Sequence, residues 1–211
     1  MTDTSSITSS SPIQNTELID EQLTQQLMLS EQEQLIQVDT HNVVLGSVGK
    51  VTAHQGAGVL HRAFSAFLFD NLGRVLITKR SASKPLWPLF WSDSCSSHQW
   101  FPEETAVHAA MRRIPFELGV ALSESANLQE IFAYEYHATY SPSWSENEIN
   151  SIVICRYDGV CAPNEREVAE YVWLEPREVS ELLDTKPEQC APWFKIAWDG
   201  LLERGSCLPP L

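Results

Sequence analysis

One long helical segment lies in the middle of this chain, between segments that have the pattern of β strands. It begins at Pro102, where a proline and two acidic residues favour a first helical turn, and ends before Gly119, a typical C-cap residue. The strand-like segments are short and rich in apolar and aromatic residues. They comprise residues 35–38, 43–48, 63–69, 74–79, 131–140, 149–157 and 170–174. With short helices predicted over 176–184 and 192–202, this order indicates an α+β sandwich.

The chain length predicts one globular domain with an extension before it. A length of 211 residues is sufficient for a complete hydrophobic core. Residues 1–16 are rich in Ser and Thr, which predicts disorder, and residues 18–32 have the spacing of a short helix or a partly ordered segment. We therefore predict a partly disordered extension over residues 1–33 and a single domain over residues 34–211.

The charge of the chain limits its partners. A net charge of −14 argues against nucleic acid and against anionic membrane surfaces, because both attract basic proteins. The segment from Lys50 to Arg113 nevertheless has eight basic and four acidic residues, a balance of +4. Such a segment suits a small anionic ligand such as a diphosphate, or it is ordinary solvated surface.

Targeting and redox signals favour the cytoplasm. No lysine or arginine precedes Lys50, which argues against a secretory signal and against an Arg-rich transit peptide. No apolar run approaches the roughly 20 residues that span a bilayer. The five cysteines are odd in number and lack CxxC spacing, which favours reduced thiols. We therefore expect a cytoplasmic protein without a membrane span.

Three histidines and two glutamates are candidate metal ligands. They are His54, His61, His98, Glu146 and Glu148. The two glutamates are two residues apart, so on an extended segment their carboxylates point to the same side. Five such groups suit Mg²⁺, Mn²⁺ or a transition metal better than a closed structural zinc site. Each of them alone is more often an ordinary polar residue.

Several motifs of this chain, taken in their order along the sequence, match one known family. They are His61-Arg62-Ala63-Phe64-Ser65 with Phe67-Leu68-Phe69, Trp91-Ser92-Asp93-Ser94-Cys95-Ser96-Ser97-His98, Glu117-Leu118-Gly119, Glu146-Asn147-Glu148 and Pro192-Trp193-Phe194. In this order they resemble the type I isopentenyl diphosphate isomerases, members of the Nudix-fold superfamily, from about residue 34 to residue 202. The resemblance implies a Nudix-like α/β/α sandwich with a mixed sheet. It also implies isomerisation of isopentenyl diphosphate to dimethylallyl diphosphate through a tertiary carbocation.

The resemblance further implies a role for each site residue. The five candidate ligands would hold one divalent ion, Mg²⁺, Mn²⁺ or Zn²⁺, and Glu117 would hold a Mg²⁺ that bridges the diphosphate. Glu148, beside Tyr136, would deliver or remove a proton. Trp193 would close the pocket and place its ring on the cation. The groups expected at the diphosphate oxygens are Lys50, Arg80, Lys84 and Arg113. The expected partner is a small prenyl diphosphate, bound by a monomer.

One position departs from the family pattern. Ser96 lies where the family has its catalytic Cys, and Cys95 is one residue too early, with neighbours in an extended segment facing opposite ways. A serine hydroxyl is a much weaker acid than a thiol, and loss of a positioned acid or base typically costs about 10²–10⁴-fold in rate. The chain is then a weak isomerase, a Cys→Ser form that traps substrate, a silent diphosphate-binding protein, or an enzyme for another prenyl diphosphate. The last includes a protonation-initiated cyclase, which needs a larger apolar pocket.

Ordinary Nudix hydrolysis is disfavoured by the residues of the central helix. The hydrolase form of this helix holds metal with an Arg-Glu pair and a later Glu-Glu pair. This chain keeps Arg112, but Arg113 and Phe116 occupy two of the Glu positions, and only Glu117 remains. Most of the carboxylates that a pyrophosphohydrolase needs are therefore missing.

Overall fold

In the computed structural model, residues 32–122 and 127–205 are described, and nine strands in these ranges form one mixed sheet. The strands are β1 Gln34–Val38, β2 Val44–Gly49, β3 His61–Phe69, β4 Val75–Arg80, β5 Trp91–Ser92, β6 Cys95–His98, β7 Gln129–Ser141, β8 Trp144–Arg156 and β9 Val168–Leu174. The helices are α1 Lys50–His54, α2 Ala106–Leu118, α3 Pro176–Thr185 and α4 Pro192–Glu203, with a 3₁₀ turn at Pro187–Gln189.

Strand β3 is the centre of the sheet. It pairs in parallel with β8 and antiparallel with β6. Successive side chains of a strand point to opposite faces, so Phe64 and Leu68 pack in one core with Ile114 of α2. Phe67 packs in the other core, where its ring centroid is 6.0 Å from that of Trp198 of α4. Helices thus cover both faces, and the predicted α/β/α sandwich with a mixed sheet is confirmed.

Helix α2 begins later than predicted and ends as predicted. It begins at Ala106 and not at Pro102, because Thr105 is the N-cap, and its side chain accepts a hydrogen bond from the backbone N–H of His108. The helix ends at Gly119, whose φ is +61°. A Cβ at this glycine would lie 2.1 Å from a backbone carbonyl oxygen, so the close approach requires glycine.

Two further expectations need correction. The segment 91–98, which is not among the predicted strands and was expected to be a loop, contains the two short strands β5 and β6. The predicted strand 149–157 would follow Glu146 and Glu148. Both glutamates instead lie within strand β8, because it already begins at Trp144, paired with Ser141 of β7. Helix α1 was not predicted.

Part of the N-terminal prediction lies outside the described residues. This holds for the predicted disorder of residues 1–16 and for the segment 18–31, so the extension is represented only by residues 32 and 33. Within the described ranges, no helix has the length and apolar character required to cross a membrane. The four cysteines in these ranges are free and buried, and they are Cys95, Cys155, Cys161 and Cys190.

Candidate active site

The sheet register brings the candidate metal ligands to one place. His61 is the parallel partner of Glu148, at the first residue of β3. His98 ends β6 opposite Ala63, two residues after His61, so both imidazoles lie on the same face of the sheet. The other two members come from the end of α1 and from β8, and they are His54 and Glu146.

These five side chains form a compact cluster, which we call the His/Glu cluster. One ligand atom from each residue lies within 4.8 Å of all the others. The Nε2 atom of His54 is 2.9 Å from Oε2 of Glu146, and that of His98 is 3.2 Å from Oε1 of Glu148. Four members are buried and His98 is nearly so. Buried nitrogen and carboxylate donors at this spacing can hold a divalent metal ion.

Hydrogen bonds on the far side of two rings aim their free nitrogens into the cluster. Nδ1 of His54 lies 2.6 Å from the carbonyl oxygen of Lys50, and Nδ1 of His61 lies 2.7 Å from that of Val59. Such bonds fix the tautomer that metal ligation requires. Nε2 of His61 is buried and has no hydrogen-bond partner. A buried, unpartnered imidazole nitrogen is the arrangement that fits a bound cation.

The protonation states of two cluster members, His98 and Glu148, suit a cation, whereas Glu146 raises the pKa of the buried His54. Burial lowers the pKa of His98 well below its ordinary range, and the neighbouring His54 and His61 act in the same direction. Burial favours the neutral form of Glu148, but the neighbouring His61 and the hydrogen bond from Tyr136 overcome this and lower its pKa. A neutral imidazole and an ionised carboxylate are the forms that bind metal.

The predicted proton groups also meet at this cluster. The hydroxyl of Tyr136 donates a hydrogen bond to Oε2 of Glu148. Burial, together with the charges of Glu148 and Glu146, raises the pKa of Tyr136 well above its ordinary value. Tyr136 therefore stays protonated and is a hydrogen-bond donor to the carboxylate.

Ser96 and its neighbour face opposite sides of the sheet. Cys95 is buried in the core beneath α2, and burial raises the pKa of its thiol well above the ordinary value. The hydroxyl of Ser96 instead accepts a hydrogen bond from Nε1 of Trp193, at 3.1 Å, and donates one to Asp93. The thiol therefore cannot take the place of the serine without rebuilding β6. No local sequence pattern marks Asp93 as part of the site.

Most of these groups border one cavity of about 470 Å³, whereas His61, Cys95 and Asp93 do not line it. Its lining includes the predicted proton groups Ser96, Tyr136 and Glu148 and the predicted substrate-binding residues Lys50, Arg80, Lys84, Arg113 and Trp193. The lining residues that were not predicted include Glu33, Asn150, Arg166 and Glu167. No local pattern marks them, because loops and strand register alone bring them to the cavity.

Three basic groups of the cavity, Lys50, Lys84 and Arg113, are paired with carboxylates. Lys84 and Arg113 both form ion pairs with Glu117 and with Glu167, and Nζ of Lys50 lies 3.0 Å from Glu33. Burial alone would raise the pKa of Glu117, but Lys84 and Arg113 lower it to about 2. Glu117 is therefore an ionised carboxylate among cations. It does not belong to the His/Glu cluster.

Trp193 and Trp87 form an aromatic wall next to these cations, and Arg80 lies against it. The guanidinium carbon of Arg80 lies 5.2 Å from the centroid of the Trp193 ring, and the same group donates to the carbonyl oxygens of Leu86 and Trp87. The Trp87 ring meets that of Trp193 edge-on, with centroids 5.5 Å apart. Arg80 thus fixes the loop that supports the aromatic wall.

Comparison with known proteins identifies the family. Residues 59–194 match the model of the NUDIX domain. The isopentenyl-diphosphate Delta-isomerase 1 of Photorhabdus laumondii is 33% identical over 171 residues, which cover 81% of this chain and 96% of that protein. The isopentenyl-diphosphate Delta-isomerase of Nocardia farcinica is 37% identical over 158 residues, covering 74% and 87%. The chain belongs to the isopentenyl-diphosphate Delta-isomerase family.

A solved structure supports the fold of this isopentenyl-diphosphate Delta-isomerase family member. A Nudix hydrolase from M. smegmatis superimposes with a TM-score of 0.51 at 19% identity, covering 85% of this chain and 98% of the hydrolase. The curated relatives and the NUDIX match confirm the family resemblance that the motifs indicated. His108 and His137 are exposed and do not belong to the His/Glu cluster.

Proposed function

We propose that this protein isomerises isopentenyl diphosphate to dimethylallyl diphosphate by protonation and deprotonation through a tertiary carbocation. One observation carries this proposal. A single cavity brings together the His/Glu cluster, the Tyr136–Glu148 pair, the hydroxyl of Ser96 and a set of basic groups. The curated relatives that match most of this chain carry the name of the same activity.

The His/Glu cluster is the proposed site of Mg²⁺, Mn²⁺ or Zn²⁺, and its buried donor set supports this. A divalent ion bound there would supply positive charge that holds Glu148 in place and tunes its acidity. Glu117 is the proposed ligand of a Mg²⁺ that bridges the diphosphate. Its carboxylate is ionised and lies beside Lys84 and Arg113. These cations would then share the phosphoryl oxygens with that ion.

The chain's own groups provide the two proton transfers. Glu148, once protonated, gives its proton to the terminal carbon of the alkene, and the Tyr136 hydroxyl, which keeps its own proton, holds that carboxyl group in place. The tertiary cation that forms lies against Trp193, whose π face contributes about 2 kcal/mol when the site is desolvated. A proton then leaves the neighbouring carbon on the side of Ser96, which also borders the cavity.

One alternative keeps support from the cavity itself. A volume of about 470 Å³ is in the range of drug-sized ligands, so a longer prenyl chain and a protonation-initiated cyclisation fit by size. Among the described residues, the apolar lining consists of Ala63, Phe64, Pro85, Leu86, Tyr136 and Trp193. The names of the curated relatives that match most of the chain favour the isomerisation over this alternative.

We also propose that the enzyme works as a monomer in the cytoplasm. Every group of the proposed site comes from one chain. The free cysteines of the described ranges suit a reducing compartment.

Incubation with isopentenyl diphosphate and Mg²⁺ in deuterated water tests the function. We expect deuterium in dimethylallyl diphosphate, because the added proton comes from an exchangeable group. Deuterium in a cyclic product from a longer prenyl diphosphate would establish the cyclase. Tight binding of the diphosphate without any exchange would establish a catalytically silent binding protein, and either result contradicts the proposed isomerisation.

Lys84→Met is expected to raise the KM for isopentenyl diphosphate by about 10–100-fold, since a hydrogen bond to a charged group contributes about 1.5–3 kcal/mol. The side chain borders the cavity and is largely buried. Steady-state kinetics at saturating Mg²⁺ measures the effect. Lys79→Met is the matched control, because Lys79 pairs with the exposed Glu170 away from the cavity. Equal KM values for the two variants would contradict a phosphate role for Lys84.

A further inference from the structure

Asp93 is a fully buried acid directly behind Ser96. It lies in the turn between β5 and β6 and has no exposed surface. Its Oδ1 accepts a hydrogen bond of 2.5 Å from the Ser96 hydroxyl, whereas Oδ2 is buried and receives none. A buried carboxylate with an unsatisfied oxygen is costly, and in a native structure it indicates a function.

Neighbouring residues hold Asp93 and Ser96 in one arrangement. The hydroxyl of Thr78 donates to the backbone carbonyl of Asp93 at 2.8 Å, and the backbone N–H of Ser94 donates to that of Ala66. Nε1 of Trp193 donates to Ser96 and also to Ser92, and the serine proton is directed at the carboxylate. The Ser65 hydroxyl lies 3.4 Å from the serine oxygen, the longest of its contacts, so the second lone pair of Ser96 is open to a group in the cavity when Ser65 does not donate to it.

We propose that Asp93 accepts the second proton of the reaction through the hydroxyl of Ser96, in place of the thiol of the family. This inference rests on the proposed isomerisation. As the C–H bond beside the cationic carbon breaks, its electron pair forms the new double bond and its proton moves to Ser96 Oγ. The original hydroxyl proton moves to Oδ1 of Asp93. Ser96 is a neutral hydroxyl before and after, and Asp93 changes from carboxylate to acid.

This relay removes the difficulty that a serine presents. A serine acting alone would become an alkoxide, which is inaccessible near neutral pH. Burial raises the pKa of Asp93 to about 6, against the lowering effect of the Ser96 and Ser65 hydroxyls. A carboxylate with this pKa is ionised at neutral pH and still basic enough to take a proton. After the product leaves, Asp93 returns its proton to Ser96, and Ser96 releases a proton to the cavity.

The same arrangement predicts a pH dependence with a definite sign. Asp93 is a proton acceptor only as a carboxylate, so kcat is expected to fall as the pH decreases through about 6. The charged and titratable groups that act on it come from several elements. They are Arg80, Cys95, Glu117 and Tyr134. Of these, Arg80 lowers its pKa and Glu117 raises it.

The test is a mutant cycle of Asp93→Asn with Ser96→Cys, assayed for isomerisation in deuterated water with Mg²⁺. In the wild-type background we expect Asp93→Asn to lower kcat by about 10²–10⁴-fold with little change in KM, since a proton acceptor is lost. The acidic limb of the pH profile is expected to disappear. In the Ser96→Cys background the thiol carries the proton directly, so the same change is expected to cost less than about 10-fold.

Each other outcome has a defined meaning. An equal loss in both backgrounds, as when the asparagine only disturbs the turn, overturns the relay. Full activity of Asp93→Asn overturns it as well. Asp70→Asn is the control for a buried acid outside the cavity, and it is expected to leave the pH profile unchanged. If Asp93→Asn does not fold, the wild-type profile decides, because a kcat without an inflection near pH 6 overturns the relay.

The cycle also separates this inference from the proposed function. Isomerisation by the wild type with an unaffected Asp93→Asn variant contradicts the relay alone. Isomerisation by Ser96→Cys but not by the wild type contradicts both the relay and the proposed isomerisation by this chain, and it shows that the remaining groups are competent. If neither chain places deuterium in dimethylallyl diphosphate, the proposed isomerisation itself is wrong.

Discussion

Replacing Glu148 by Gln is expected to lower kcat for isomerisation by about 10²–10⁴-fold, the usual effect of losing a positioned proton carrier. Glu148 is buried, receives the hydrogen bond of Tyr136 and contacts two imidazoles of the His/Glu cluster. A neutral amide has nearly the same shape, but it can neither give a proton to the alkene nor balance the charge of a cation. The measurement is deuterium incorporation at a series of metal concentrations.

Glu146→Gln is the matched control for this prediction. Glu146 belongs to the same cluster and pairs with His54, but Tyr136 does not donate to it. Its loss weakens a ligand set without removing the proton carrier, so activity is expected to return as the metal concentration rises. The deficit of Glu148→Gln is expected to persist at every concentration. Recovery of both variants to wild-type activity would contradict a proton role for Glu148.

The main elements of the fold are readable from local sequence patterns. Strand β3 alternates between two cores, so nearly every residue is apolar and the segment is identified as a buried strand. Gly119 marks the end of α2 because only a glycine tolerates both its positive φ and the neighbouring carbonyl. Strands β5 and β6 have two and four residues, too few to show a period, and they exist because longer strands pair with them.

Candidate site residues can be predicted where residue types that commonly bind metal recur in motifs. Histidines and paired glutamates indicate metal binding even before their positions are known, and the register of β3 with β8 then places His61 beside Glu148. Glu167 and Asp93 carry no such signal, since an isolated acid in a loop is usually solvated. Their place at the cavity or behind it follows from long-range packing. A single sequence does not encode such packing in any local pattern.

Removal of divalent metal is expected to abolish isomerisation, and His61→Asn is expected to lower the affinity for the metal more than 10–100-fold. A loss of about 10–100-fold in metal affinity is typical when a residue that only orients a metal ligand is removed. We expect a larger loss for His61, because it is placed as a ligand itself. Its imidazole has no exposed surface, and its Nε2 has no hydrogen-bond partner within the described structure. Nothing else in the cluster can take the place of this nitrogen without moving β3.

Binding of Mn²⁺ or Zn²⁺ to the chelator-treated protein, measured by calorimetry and by the rise in Tm, tests this expectation independently of turnover. A metal that binds only the folded state adds about 2.7 kcal/mol of stability at a concentration of 100 times Kd, so the wild type is expected to show a clear rise and His61→Asn little. His108→Asn is the control, because His108 is an exposed residue of α2 outside the cluster. Equal rises in Tm for all three proteins would place the metal elsewhere, and the convergence of three imidazoles would then need a different explanation.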